Sequence, residues 1–153
     1  MDKTKTILLL DLDGVLITTS PWKPDVIDLD GYSQFNASCI ENLNTLLVFR
    51  DFDIWLSSSR RTNTTLERFN ELFEYRKIRQ PIIGFLPPNE HYDSRCVEIS
   101  RWLQAIQTNN YLIIDDDKSL LDFKDSKRLV LTKYLLGFNG EKLEEAREQI
   151  KGW

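Results

Sequence analysis

The sequence predicts an α/β fold: a three-layer sandwich in which a central parallel sheet lies between helices. Three observations carry this reading. Short apolar runs of strand length alternate with segments whose apolar residues recur at helical spacing, the order that builds strand-helix-strand units. Most of the runs end in acids or hydroxyls, as strand tips facing a site do. The length is 153 residues, 41% hydrophobic and 29% charged, enough for one globular domain with a real core and too few for two domains, so residues 1–153 are read as a single domain.

The first strand is Thr6 to Leu10, ending at Asp11. Ser38-Cys-Ile-Glu41 reads as a capping box, and Ile40, Leu43 and Leu47 fall on one face of the helix it opens. Asp53 to Ser57 is the second strand, followed by a second capping box, Thr64-Thr-Leu-Glu67, with Leu66, Phe69 and Phe73 aligned. Ile82 to Leu86 is rich in β-formers and is stopped by Pro87-Pro88. Cys96, Ile99, Leu103 and Ile106 then mark a third helix, and Tyr111 to Ile114 runs as a strand into Asp115-Asp116-Asp117. Arg128 to Thr132 is the fifth strand. Leu143, Ala146 and Ile150 mark a closing helix introduced by Asn139-Gly140. Residues 17–37 exceed the usual loop of about 2–6 residues. There Val26 to Leu29, Asp30-Gly31 and Tyr32 to Phe35 read as a small hairpin with a two-residue turn, a flap after strand one. The plainer alternative is a surface excursion that packs Trp22 and Phe35 on the domain.

Composition narrows the chemistry. One histidine, His91, and two cysteines, Cys39 and Cys96, exclude a Cys₄ or Cys₂His₂ zinc site and a disulfide framework, so no disulfide partner is expected. The glycines form neither GxGxxG nor the GxxxxGK phosphate loop. No stretch approaches a membrane span or a signal peptide, which points to a soluble, cytoplasmic protein with no membrane partner. The net charge of −4 weighs against a free-standing nucleic-acid binder, although Lys3, Lys5, Lys23, Arg60, Arg61, Arg76, Lys77 and Arg79 offer a local basic surface.

In open parallel sheets ligands bind outside the carboxyl ends of the strands. Strand one delivers Asp11 and Asp13 there, strand two Ser57 and Ser58, and strand four Asp115, Asp116 and Asp117. Acids gathered from separate strands repel unless a cation sits among them, and hard oxygen ligands suit Mg²⁺, which completes its shell with water and phosphate oxygens. The expected cofactor is Mg²⁺ and the expected chemistry involves phosphate.

The run Ile7 to Leu10 followed by Asp11-Leu-Asp13-Gly14-Val15-Leu16 resembles motif I of the haloacid dehalogenase (HAD) superfamily, an apolar strand leading into DxDG. Ser57 resembles motif II and Ile113-Ile114-Asp115-Asp116 motif IV; Arg95 is the best match to motif III, which is commonly Lys. Ser57-Ser58-Ser59-Arg60, the spacing of Arg95, Glu98, Ile99, Trp102 and Leu103, and Gly137 to Gly140 resemble the HAD branch of multidomain RNA-repair proteins. The resemblance implies a HAD-like fold with a Rossmann-like sheet and a phosphohydrolase mechanism. Asp11 would be the nucleophile that forms an aspartyl-phosphate, and Asp13 the acid and base, its main-chain carbonyl on the metal. Ser57 would bond the phosphoryl oxygens, with Ser58 one residue off as the alternative, and Gly14 and Arg60 beside the substrate. Arg95 would offset developing charge; Lys118, Arg60 and Arg61 remain alternatives. Asp116 would ligate Mg²⁺ together with Asp11 and Asp13, and Asp115 would orient its neighbours or share the metal.

HAD enzymes often insert a cap domain, but the segments available here are too short for one. An open site fits a phosphorylated RNA or DNA end, or a phosphoprotein, better than a small metabolite. Two rival functions stand beside phosphatase: a HAD-like binding domain without turnover, and a phosphotransferase that passes the phosphoryl group to an acceptor other than water.

Overall fold

Five strands, β1 (Thr6–Leu10), β2 (Phe52–Leu56), β3 (Ile82–Phe85), β4 (Tyr111–Asp115) and β5 (Leu129–Leu131), form one all-parallel sheet in the order β3-β2-β1-β4-β5 in the computed structural model, which describes residues 5–153. β1 is central and buried along its whole length, because both faces of a parallel sheet are covered. Its side chains alternate between two cores. Leu8 and Leu10 point with Ile54, Leu56, Leu112 and Ile114 into the larger one, while Ile7 and Leu9 join Ile113 and Leu129 in the smaller.

Four helices cover the sheet: α1 (Ala37–Phe49), α2 (Leu66–Tyr75), α3 (Arg95–Ile106) and α4 (Gly140–Lys151). α1, α2 and α4 bury Leu43, Phe69, Phe73 and Ala146 in the larger core, and α3 buries Ile99 and Leu103 in the smaller one beside Leu120 of a 3₁₀ helix at Lys118–Ser126. No sequence signal marks that 3₁₀ helix, whereas a shorter one at Ser59–Thr62 starts at the hydroxyl cluster Ser57 to Ser59, which also reads as a helix start or turn.

Both expected capping boxes shift. Asn36, not Ser38, caps α1, its amide oxygen accepting from the Ser38 and Cys39 N–H groups, and Thr65, not Thr64, caps α2 through the Arg68 N–H. The cap is the residue whose extended backbone aims its oxygen at the free N–H groups, and Asn36 fills that role without a Glu partner. Asn139 caps α4 where the sequence placed it.

The excursion after β1 does carry a minimal hairpin, bridged at Ile27 and Ser33. Its turn differs from the expected Asp30-Gly31 pair. The Asp28 carbonyl accepts from the Gly31 N–H and the Asp28 N–H donates to the Tyr32 carbonyl, so Leu29, Asp30 and Gly31 form a three-residue loop. Gly31 takes φ +83°, the left-handed position such a loop requires at its third residue. Phe35 is buried against Phe73, but Trp22 stays 74% exposed, so only half of the plainer packing alternative holds.

Register fixes the site. Leu10 pairs with Leu56 on one side and Ile114 on the other, so the next residues, Asp11, Ser57 and Asp115, emerge level at one edge of the sheet.

Candidate active site

Asp11, Asp115 and Asp116 each present a carboxylate oxygen within 4.8 Å of the others. Asp11 and Asp115 are buried and Asp116 half-buried. A pair of like charges at that separation costs on the order of 3 kcal/mol even at an effective dielectric of about 20. Burial first, and the Asp115 carboxylate second, hold Asp11 well above the usual carboxylate range, and Arg95 and the Leu12 N–H offset only part of this. Burial also raises Asp115 against the pull of Arg95, and burial with Asp115 raises Asp116. A cluster that resists carrying its own charge is the donor set a hard divalent cation relieves, so these residues fit Mg²⁺.

Arg95, the first residue of α3, lies over this cluster. Its Nη1 donates to Asp115 Oδ2 at 2.8 Å, stands 3.8 Å from Asp11 Oδ1 and reaches Ser57 Oγ at 3.5 Å. Glu98, one turn on, lies 3.5 Å from Arg95 Nε and also pairs with buried Arg61. The Arg61 guanidinium is spent on the carbonyls of Ser57, Ser58, Leu86 and Pro87. It is a clamp on the tip of β2 rather than a free cation. Ser57 and Ser58 are both fully buried, but they face different tasks: Ser57 Oγ lies beside Arg95, whereas Ser58 Oγ accepts the Arg60 N–H as cap of the short 3₁₀ helix.

Asp13 stands outside the acid cluster. Arg60 grips its carboxylate with two parallel bonds, Nε to Oδ2 at 2.8 Å and Nη2 to Oδ1 at 2.9 Å. The same guanidinium reaches Asp25 at 3.2 Å and Ser33 Oγ at 3.0 Å in the hairpin, and stacks over Tyr32. No sequence signal announced Asp25, Ser33 or Tyr32, because they meet Arg60 only once the hairpin folds across the strand tips.

Gly14 is placed beside Asp116 so closely that a Cβ would stand 2.5 Å from its Cγ, and φ is +78°. Its N–H donates to the Ile17 carbonyl and its carbonyl accepts from Thr132 Oγ1, so both backbone groups serve the loop itself. Thr132, buried at the end of β5, is an anchor the sequence reading passed over.

Only part of the expected basic surface stays free: Lys23, Lys77 and Arg79 are exposed and have no ion-pair partner among the described residues. Arg61 and Arg76 are buried clamps, Arg60 is paired with Asp13, Lys5 lies near Asp51 and Asp53, and Lys3 falls outside the described residues. Cys39 and Cys96 are free thiols. Among the described residues no helix is long and apolar enough to cross a membrane.

Comparison with curated proteins returns no match. The sequence model of the family described as HAD domain in Swiss Army Knife RNA repair proteins matches residues 7–143, from β1 into α4. That span takes in the sheet from the second residue of β1 onward and every acid of the cluster, and the chain therefore belongs to this family of the HAD superfamily.

Proposed function

We propose that the chain is a Mg²⁺-dependent phosphomonoesterase acting through Asp11 on the phosphorylated end of a nucleic acid. The observation that carries this reading is the meeting of Asp11, Asp115 and Asp116 under the Arg95 guanidinium. The family description, with its RNA repair context, supports nucleic-acid phosphate as substrate.

Asp11, Asp115 and Asp116 would hold the metal, with the Asp13 main-chain carbonyl as a further oxygen. Bound Mg²⁺ supplies neutralising charge for the phosphoryl oxygens. Asp11 Oδ attacks phosphorus, a new O–P bond forms and the ester P–O bond breaks, and Asp13 gives its proton to the leaving oxygen. Asp13 then takes a proton from water as that water attacks the aspartyl-phosphate, which releases inorganic phosphate and restores Asp11. Ser57 and Arg95 bond the oxygens that gain charge. For Asp13 to act, the Arg60 fork must let go of it, since both of its oxygens are engaged.

That grip is also the observation that favours a second reading, binding of a phosphorylated end without turnover. One experiment separates the two: phosphate release from an aryl phosphate and from 3′- and 5′-phosphorylated oligonucleotides, with Mg²⁺ or EDTA. The phosphatase reading expects metal-dependent release that Asp11→Asn lowers by about a thousandfold or more. Binding with no release from any substrate favours the second reading.

A further inference from the structure

We propose that a lysine-lined cavity beside Asp116, formed by the 3₁₀ helix Lys118–Ser126, the segment after β5 and the start of α4, grips the strand that carries the scissile phosphate; this rests on the phosphoesterase reading above. The cavity measures about 710 Å³ and Asp116 forms part of its wall, so it opens directly off the acid cluster. That volume holds a ligand of nucleotide size, well beyond one phosphoryl group.

Charge distinguishes it. Lys118, Lys124, Lys133 and Lys142 all line it in a chain whose net charge is −4. Lys142 is paired with Glu145, but Lys118, Lys124 and Lys133 are exposed and have no ion-pair partner among the described residues. By contrast Arg60, Arg61, Arg76 and Arg95 near the strand tips are all paired with acids. Unpaired positive charge therefore gathers on the β5 side of the acid cluster.

Spacing points to a chain of phosphates. A 3₁₀ helix turns once every three residues, so Lys118, Leu121 and Lys124 share one face, and all three line the cavity. At a rise of about 2 Å per residue their backbones sit about 12 Å apart along it, so their long side chains can reach successive phosphates of one strand. A polyanion with charges at regular intervals engages both, while Tyr134 and Leu131 in the same wall offer apolar faces to bases. A phosphoprotein, with one phosphate and no regular run of charge beyond it, matches this arrangement less well.

The test is fluorescence anisotropy of a labelled single-stranded RNA 12-mer, carrying a 3′- or a 5′-phosphate, against increasing KCl, with wild type and the double variant Lys124→Gln, Lys133→Gln. Both side chains are exposed, and the thermal midpoint of the variant serves as the control for folding. The expected result is salt-dependent binding by wild type, weakened about fivefold or more in the variant at low salt, with the log-log salt slope reduced by about 1.4 for two lost phosphate contacts. Equal affinity and slope in the two proteins, or no binding by wild type, overturns the proposal. A singly phosphorylated peptide that binds as tightly as RNA, with the same dependence on Lys124 and Lys133, overturns the commitment to nucleic acid. Because this reads binding, its outcome is separable from phosphate release: lysine-dependent binding without turnover would retire the phosphatase and keep the groove.

Discussion

At Gly14 the main chain and a carboxylate of the acid cluster compete for the same space. Gly14→Ala puts a methyl group against Asp116 at a φ of +78°, where a side chain also costs about 1–2 kcal/mol from its own backbone. The expected outcome is a loss of about 2 kcal/mol or more in denaturant unfolding, with Mg²⁺ affinity reduced as Asp116 is pushed aside. Gly140→Ala is the matching control. Nothing lies within 4 Å of a Cβ there and the residue opens α4, so alanine is expected to be neutral or to stabilise by up to about 1 kcal/mol. Of the site residues, those at strand tips were legible because each follows an apolar run directly: Asp11, Ser57 and Asp115. The partners of Asp13 were not, since Arg60 finds Asp13, Asp25 and Ser33 across separations of 47, 35 and 27 residues. Glu98 was visible in the sequence, but nothing there shows that it braces both Arg95 and Arg61.

The hairpin is an element held mostly by one side chain. Arg76, at the end of α2, forks onto Asp30 with two bonds of 2.7 Å, donates to the carbonyls of Tyr32 and Ser33 and lies over the Phe35 ring. Arg76 and Asp30 side chains are only 5% and 7% exposed. Arg76→Ala removes both guanidinium bonds and leaves the Asp30 carboxylate only the Tyr32 N–H, which costs about 2 kcal/mol or more, and limited proteolysis within residues 20–34 is the expected first sign. The bond to Arg76 holds Asp30 below the ordinary carboxylate value of 3.8. Its stabilisation is therefore complete above that value and is lost as pH falls through the lower folded value, so the hairpin loosens only in strong acid. Strands and helices were readable here because their burial repeats along the chain: β1 is apolar on both faces, and Phe69 and Phe73 align on α2. The three-residue turn was not, since Asp30-Gly31 satisfies the pattern of a shorter turn as well. The 3₁₀ helix Lys118–Ser126 escaped because its period of three leaves only Leu120 fully buried.

Over the whole molecule the acid cluster sets a pH dependence of opposite sign to that of the hairpin. Asp11, Asp115 and Asp116 all titrate above 3.8 in the fold. As pH rises from that value the unfolded chain gives up these protons first, so metal-free stability declines until the raised folded values are passed. Thermal unfolding in EDTA is expected to show a midpoint that falls as pH rises above 3.8, and saturating Mg²⁺ is expected to restore it, more at the higher pH. A metal-free midpoint that rises over this range would contradict the cluster described.

The order of the sheet carries a further consequence, which concerns time rather than energy. β1 meets β2 at a separation of 46 residues, past the excursion and α1, but it meets β4 only when Ile7 finds Tyr111 and Leu10 finds Ile114, each 104 residues along the chain. Closing such a distant pair is slow, because the entropy of the long loop is lost before any contact repays it. Asp11 and Asp115 sit on the two sides of that seam. During refolding, the acid cluster is thus expected to assemble only when that seam closes, and a half-zipped chain with β1, β2 and β3 already joined lacks it.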